Sequence, residues 1–172
     1  MKRILFPVIF LLISGTNLFA QEDKFVPDDF KIPDTLENDL FRLRMLTVND
    51  VVKDYDAVMS SIEHLQKQFQ GWYWPSPDLS LEQDLIDLGW HQKEFQTRRS
   101  FAYTVVRPDE SEVLGCVYIL PEENRADIDA VLFMWVRSSV LNLGYDQKLF
   151  NVVKAWIKSE WPFRNVVYPN RE

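Results

Sequence analysis

The residues of this chain whose types and spacing bear on chemistry concentrate between Asp127 and Trp161. Ala130-Val-Leu-Phe-Met-Trp-Val136 is apolar on both alternating faces, the pattern of a central strand covered above and below. Arg137 to Gly144 is a polar connection with one glycine. From Tyr145 onward, Leu149, Val152, Val153, Trp156 and Ile157 recur at the three-and-four spacing of an amphipathic helix. In such a unit the strand's carboxyl end meets the helix's amino end, where free N–H groups and the helix dipole favour an anionic ligand. A ligand site is expected at this junction.

Elsewhere the reactive residue types read as structure. Cys116 lies in Val113-Leu-Gly-Cys-Val-Tyr-Ile119 with no histidine near it in sequence to lower its pKa, so a small buried strand side chain is expected. As the one cysteine it forms no internal disulfide. His64 borders an apolar helix stripe and reads as a boundary residue, whereas His91, among Gln92, Lys93 and Glu94, reads as part of a solvated face. Two histidines on different helices do not make a metal site. Asp127 and Asp129 project to one side of a strand's exposed start, where a solubilising role is expected. No Gly-x-Ser-x-Gly elbow, Walker loop, dinucleotide motif or paired-cysteine signature occurs. Gly71-Trp-Tyr-Trp-Pro-Ser-Pro-Asp78 admits two readings. Trp72 and Trp74 either wall a substrate pocket or fold back over the core as a staple between helices.

The elements that must position these residues follow from composition and pattern. A chain of 172 residues, 47% hydrophobic and 26% charged, suffices for one domain. Lys2 and Arg3, an apolar run from Ile4 to Ile13 and then Leu18-Phe-Ala20 have the order of a secretory signal peptide over residues 1–20. A periplasmic or secreted mature protein is therefore expected. Ten apolar residues broken by Pro7 are short for a bilayer, so no stable membrane span is expected after cleavage. The net charge of −7, with no local basic cluster, disfavours nucleic acid as a partner.

Residues 21–38, rich in Asp, Glu, Lys and Pro, read as a flexible lead-in to a single domain over 39–172. Phe41, Leu43 and Met45 alternate as a strand, and Thr47 with Asp50 starts a helix running to Gly71. Ser80 with Gln83 caps a second helix. Ser100–Val106 and Val113–Leu120 form a hairpin, the 130–136 strand and its helix follow, and Asn165–Tyr168 is a last short strand.

This order, β-α-α-β-β-β-α-β, resembles the first part of the GNAT (N-acetyltransferase) superfamily, as do Trp135-Val-Arg137, Tyr145-Asp146 and Ala155-Trp-Ile157 followed by Trp161-Pro-Phe163. The resemblance implies an α/β (α+β) fold: a mixed five-stranded sheet flanked by three helices, without the C-terminal helix and hairpin that family members add. It further implies acyl transfer from acetyl-CoA to a small-molecule amine. In that superfamily the fourth strand's backbone holds the pantetheine arm, and a Gln/Arg-x-x-Gly-x-Gly/Ala loop wraps the pyrophosphate before the third helix. Met134, Trp135, Val136, Arg137, Asn142, Gly144 and Tyr145 are the corresponding donor-site candidates, and no metal is implied. Tyr145 and Tyr168 stand near the implied cleft as candidates for the family's tyrosine acid.

The loop departs from the motif, with Leu141 at the Gln/Arg position and Asp146 at the second glycine. An anionic side chain then stands where bare backbone approaches a diphosphate, a defect that Arg137 or Lys148 would have to offset. The alternative is an exported, non-catalytic binding module with a degenerate coenzyme A site, its last strand an open edge able to recruit a second copy as a homodimer.

Overall fold

In the computed structural model, which describes residues 25–71, 73–169 and 171, a six-stranded sheet has the strands in sequence order. They are β1 (Thr35–Glu37), β2 (Arg42–Met45), β3 (Phe101–Val106), β4 (Val113–Leu120), β5 (Ala130–Val136) and β6 (Val166–Val167). Every neighbouring pair is antiparallel except β5 and β6, which run parallel across the helical crossover. The mixed α/β class and the predicted strand order hold, with one strand more than the five expected.

The extra strand comes from the segment expected to be a flexible lead-in. β1 pairs with β2 at Thr35–Arg44, Leu36–Leu43 and Glu37–Arg42. Ahead of it Val26 is buried, the Phe25 N–H donates to the Arg98 carbonyl at 3.0 Å, and Phe30 packs on Trp161. Polar composition was the wrong guide here, because a few apolar residues (Phe25, Val26, Phe30, Ile32) suffice to fasten the segment to one face of the sheet. The expected leader at residues 1–20 lies outside the described residues. Among those described, no helix is long and apolar enough to cross a membrane.

The helices also differ in number from the three expected. Thr47 and Asp50 start the first as their spacing requires, Asp50 Oδ2 accepting from the Thr47 N–H and hydroxyl at 3.0 Å each. The predicted continuous helix then breaks into α1 (Val51–Met59) and α2 (Ile62–Gln68). Tertiary hydrogen bonds account for the break. The Ser60 hydroxyl accepts from Arg137 Nη2 at 3.1 Å, and the buried Ser61 hydroxyl accepts the Ser138 N–H at 2.9 Å, so the turn is tied to the end of β5. α3 (Leu81–Gln96) carries the reciprocal Ser80–Gln83 cap. The connection after β5 contains a one-turn helix, α4 (Ser138–Leu141), before α5 (Tyr145–Glu160).

The sheet separates two apolar clusters. α5 and the lead-in cover the face carrying Leu43, Tyr103, Leu132 and Met134, and α1 to α3 cover the face carrying Ala102, Cys116, Phe133 and Trp135. Alternation along β5 thus sends Met134 and Trp135 to opposite sides. As expected, Cys116 is a buried strand residue, its thiol donating to the Tyr103 carbonyl at 3.1 Å, and burial pushes its pKa up.

Candidate functional site

β5 and β6 pair only at Ala130–Val166 and Val131–Val167, so the carboxyl half of β5 parts from its parallel neighbour. A cleft of about 210 Å³ lies there, lined by His64, Gln68 and Phe69 at the end of α2, Phe133 and Met134 of β5, Leu141, Asp146, Pro169 and Arg171. Gly144 makes the turn into α5 with φ +72°, a left-handed conformation suited to glycine. Asp146 follows in the first turn of α5, where a carboxylate complements the dipole.

Three side chains meet around one backbone carbonyl. Gln68 Nε2 donates to Met134 O at 2.7 Å and Arg171 Nη2 to the same oxygen at 3.0 Å. The Arg171 guanidinium also grips Asp146, Nη2 to Oδ1 at 2.7 Å and Nη1 to Oδ2 at 2.9 Å. His64 stands beside them, and burial pushes its pKa down against the opposing pull of the Asp146 carboxylate. Its Nε2 is buried without a hydrogen-bond partner among the described residues.

A second cavity, of about 290 Å³, opens on the helical side of the sheet and shares Phe69 and Phe133 with the first. Its other lining residues are Trp74, Asp87, Trp90, His91, Tyr118 and Leu120. Trp74 packs edge-on to Phe69 at 5.5 Å and tilted on Trp135 at 6.0 Å, so it covers the core and walls the cavity at once. His91 lies against Tyr118 at 4.9 Å and Trp90 at 4.8 Å, with Nε2 3.8 Å from Asp87. It is therefore a largely buried residue and not part of a solvated face, and burial pushes its pKa down. Behind the cavity, Asp54 and Asp84 are almost wholly buried in facing helices. Burial, followed by the neighbouring carboxylates, drives Asp54 well above the usual carboxylate range and pushes Asp84 up to about 6.

The structure distributes the sequence candidates unevenly. Met134 and Gly144 stand at the cleft and its turn, while the Trp135 and Val136 side chains enter the two opposite cores. The buried Arg137 guanidinium is turned away to pair with the partly exposed Glu112 (2.7 Å) and the exposed Asp56 (3.0 Å), and Lys148 Nζ bonds the Leu143 carbonyl at 3.1 Å. Neither reaches Asp146, whose partner is Arg171. Asn142 is exposed, and Tyr145 and Tyr168 pack against the α5-side cluster; none of the three lines either cavity. Trp72 lies outside the described residues. Asp129, expected to be merely solubilising, accepts the Arg164 and Asn165 N–H groups at 2.6 and 2.8 Å and shapes the entry to β6.

Sequence reasoning missed His64, Gln68, Arg171 and the aromatic lining other than Trp74, which it named as a pocket wall. The i, i+4 spacing of His64 and Gln68 on one helix was the available signal for the first two. Arg171 had none.

No protein-family model and no curated protein matches this chain. Solved structures do. A ribosomal-protein-S5-alanine acetyltransferase from Vibrio fischeri superposes with TM-score 0.64 at 14% identity, over 81% of this chain and 77% of that one. RimL, a ribosomal L7/L12 α-N-protein acetyltransferase in complex with coenzyme A, gives 0.64 at 16% identity, over 78% and 73%. A ribosomal-protein-serine acetyltransferase from Vibrio cholerae gives 0.56 at 13%, over 71% of this chain and 65% of that one. The fold is that of the GNAT acetyltransferases.

Within the GNAT fold, β5 and α5 are the strand and helix expected to hold acetyl-CoA, and the cleft tests that expectation. Its apolar walls (Phe69, Phe133, Leu141) suit an acyl-pantetheine arm, while the Met134 carbonyl is already taken by Gln68 and Arg171. At the amino end of α5, Asp146 stands at the position of the motif's second glycine and is paired with Arg171. Among the described residues, no three His, Cys, Asp or Glu side chains are grouped to hold a metal ion.

Proposed function

We propose that this protein transfers an acetyl group from acetyl-CoA to a small amine, the donor lying in the β5/β6 cleft and the acceptor in the aromatic cavity. The carrying observation is that the two cavities adjoin and share the Phe69 and Phe133 wall. Bound in the cleft, acetyl-CoA would supply an acyl carbon activated as a thioester, passed to nitrogen with release of the thiol. Phe69, Phe133 and Leu141 hold the donor arm, and Arg171 meets its phosphates. His91, kept neutral by burial, accepts a proton from the amine, and its Nδ1 has no hydrogen-bond partner among the described residues. The aromatic walls exclude water from the acceptor.

The test is thiol release from acetyl-CoA across a panel of primary amines, with the melting temperature of the protein followed in parallel. A rise in melting temperature with acetyl-CoA and amine-dependent thiol release are expected. No shift at high acetyl-CoA together with no release overturns the reading.

One observation favours the non-catalytic alternative: Arg171 satisfies both Asp146 and the Met134 carbonyl, so the cleft is filled from within. On that reading amines raise the melting temperature and acetyl-CoA does not.

A further inference from the structure

We propose that the cavity between α3, Trp74 and the sheet is a binding site for an organic ammonium ion. Five of its lining side chains are aromatic, namely Phe69, Trp74, Trp90, Tyr118 and Phe133, and they come from α2, the following loop, α3, β4 and β5. Aromatic rings converging from separate elements supply the π systems that attract a cation with an apolar body. Asp87 is the one acidic lining residue, and its half-exposed carboxylate leaves the cavity open to a charged ligand entering from solvent.

Among the described residues, no lysine or arginine lines the space. Its titratable groups are Asp87 and His91 of α3 and Tyr118 of β4, with Asp84 of α3, Asp54 of α1 and Cys116 of β4 close behind. With the imidazole neutral and the phenol and thiol pKa values raised by burial, the charge facing a ligand is negative or zero throughout. A neutral apolar ligand would use the walls and leave Asp87 idle, and an anion would meet a carboxylate and ring faces. An alkyl- or arylalkylammonium ion uses both. The volume of about 290 Å³ limits the occupant to a small one. As the identity of the acetyl acceptor, this inference rests on the acyl-transfer reading; as a binding site it stands alone.

The experiment uses the full chain at neutral pH, with tryptophan fluorescence and calorimetry as readouts. Choline is compared with 3,3-dimethylbutan-1-ol, its neutral isostere, and 2-phenylethylammonium is assayed for thiol release from acetyl-CoA. Choline is expected to bind roughly tenfold tighter than the isostere, the scale of a desolvated cation–π contact. Asp87→Asn, at a half-exposed position, should reduce that preference, and Trp90→Ala, at the cavity rim, should weaken choline binding several-fold with circular dichroism unchanged. Equal binding of the two isosteres, or no binding of either, overturns the ammonium site. A cation preference without thiol release keeps the site and removes acyl transfer. Thiol release without a cation preference does the reverse.

Discussion

The guanidinium of Arg171 holds both carboxylate oxygens of Asp146, at 2.7 and 2.9 Å, while donating to the Met134 carbonyl at 3.0 Å. A carboxylate that taken alone would repel a diphosphate is thereby neutralised from 25 residues away in sequence. The pair also sets what the cleft admits, because the cation available to a phosphate is already engaged.

Substituting either partner tests this coupling. Arg171→Ala and Asp146→Ala should each destabilise the fold, and the double variant should lose less than the sum, with an interaction of about 1–3 kcal/mol in a urea-denaturation cycle. Asp146→Gly, which releases Arg171 from its carboxylate partner, should enlarge the melting-temperature shift given by acetyl-CoA. An unchanged shift would show that Asp146 is not the obstacle.

Arg137 is predicted to matter for stability alone. Its side chain is 10% exposed between Glu112 and Asp56, and it ties β5 to the α1–α2 break through Ser60. Arg137→Ala removes these ties while Glu112 keeps its Arg107 partner, and should cost about 1–2 kcal/mol. The melting-temperature increment from acetyl-CoA, measured on the folded variant, should match that of the parent.

Gly115 is fixed by contact. A Cβ built there would lie 2.0 Å from the Trp135 carbonyl oxygen and 2.9 Å from Val136 Cα, both backbone atoms of the paired strand. Gly115→Ala must push β4 from β5 and should cost about 3 kcal/mol or more, read as a fall in the denaturation midpoint.

The pH dependence of stability should reveal the buried carboxylates. Asp84, pushed up to about 6 in the fold from 3.8, makes the folded state bind more protons than the unfolded one between these values. Its contribution to stability is therefore fully present below about pH 4 and declines as pH rises through about 6. Asp84→Asn should be near neutral at pH 4 and stabilising by about 1–2 kcal/mol at pH 8 relative to the parent. Urea midpoints at the two values check it, and an equal effect at both would refute the assignment.

For catalysis the discriminating residue is His91. His91→Gln should lower amine-dependent thiol release by about a hundredfold or more, the scale of one general base. It should leave the acetyl-CoA melting-temperature shift intact, since His91 does not line the donor cleft. Loss of both would identify a folding defect.

Local patterns carried most of the fold. Alternation at Phe41–Met45, the Thr47–Asp50 and Ser80–Gln83 caps, the hairpin around Arg107–Ser111 and the double-sided apolar run at 130–136 each state their own geometry, because period and capping act over a few residues. Gly144 declared the turn into α5 for the same reason. What the chain could not declare locally was every contact made at long range. The lead-in's attachment depends on the sheet and α5 offering a surface for Phe25 and Val26. The break at Ser60-Ser61 depends on Arg137 and Ser138, 77 residues away. His91 reads as solvated from its polar neighbours, and only the approach of Tyr118 buries it. Arg171 closes on Asp146 because the parting of β5 from β6 opens a space that one guanidinium fills, a consequence of tertiary packing that no spacing rule encodes.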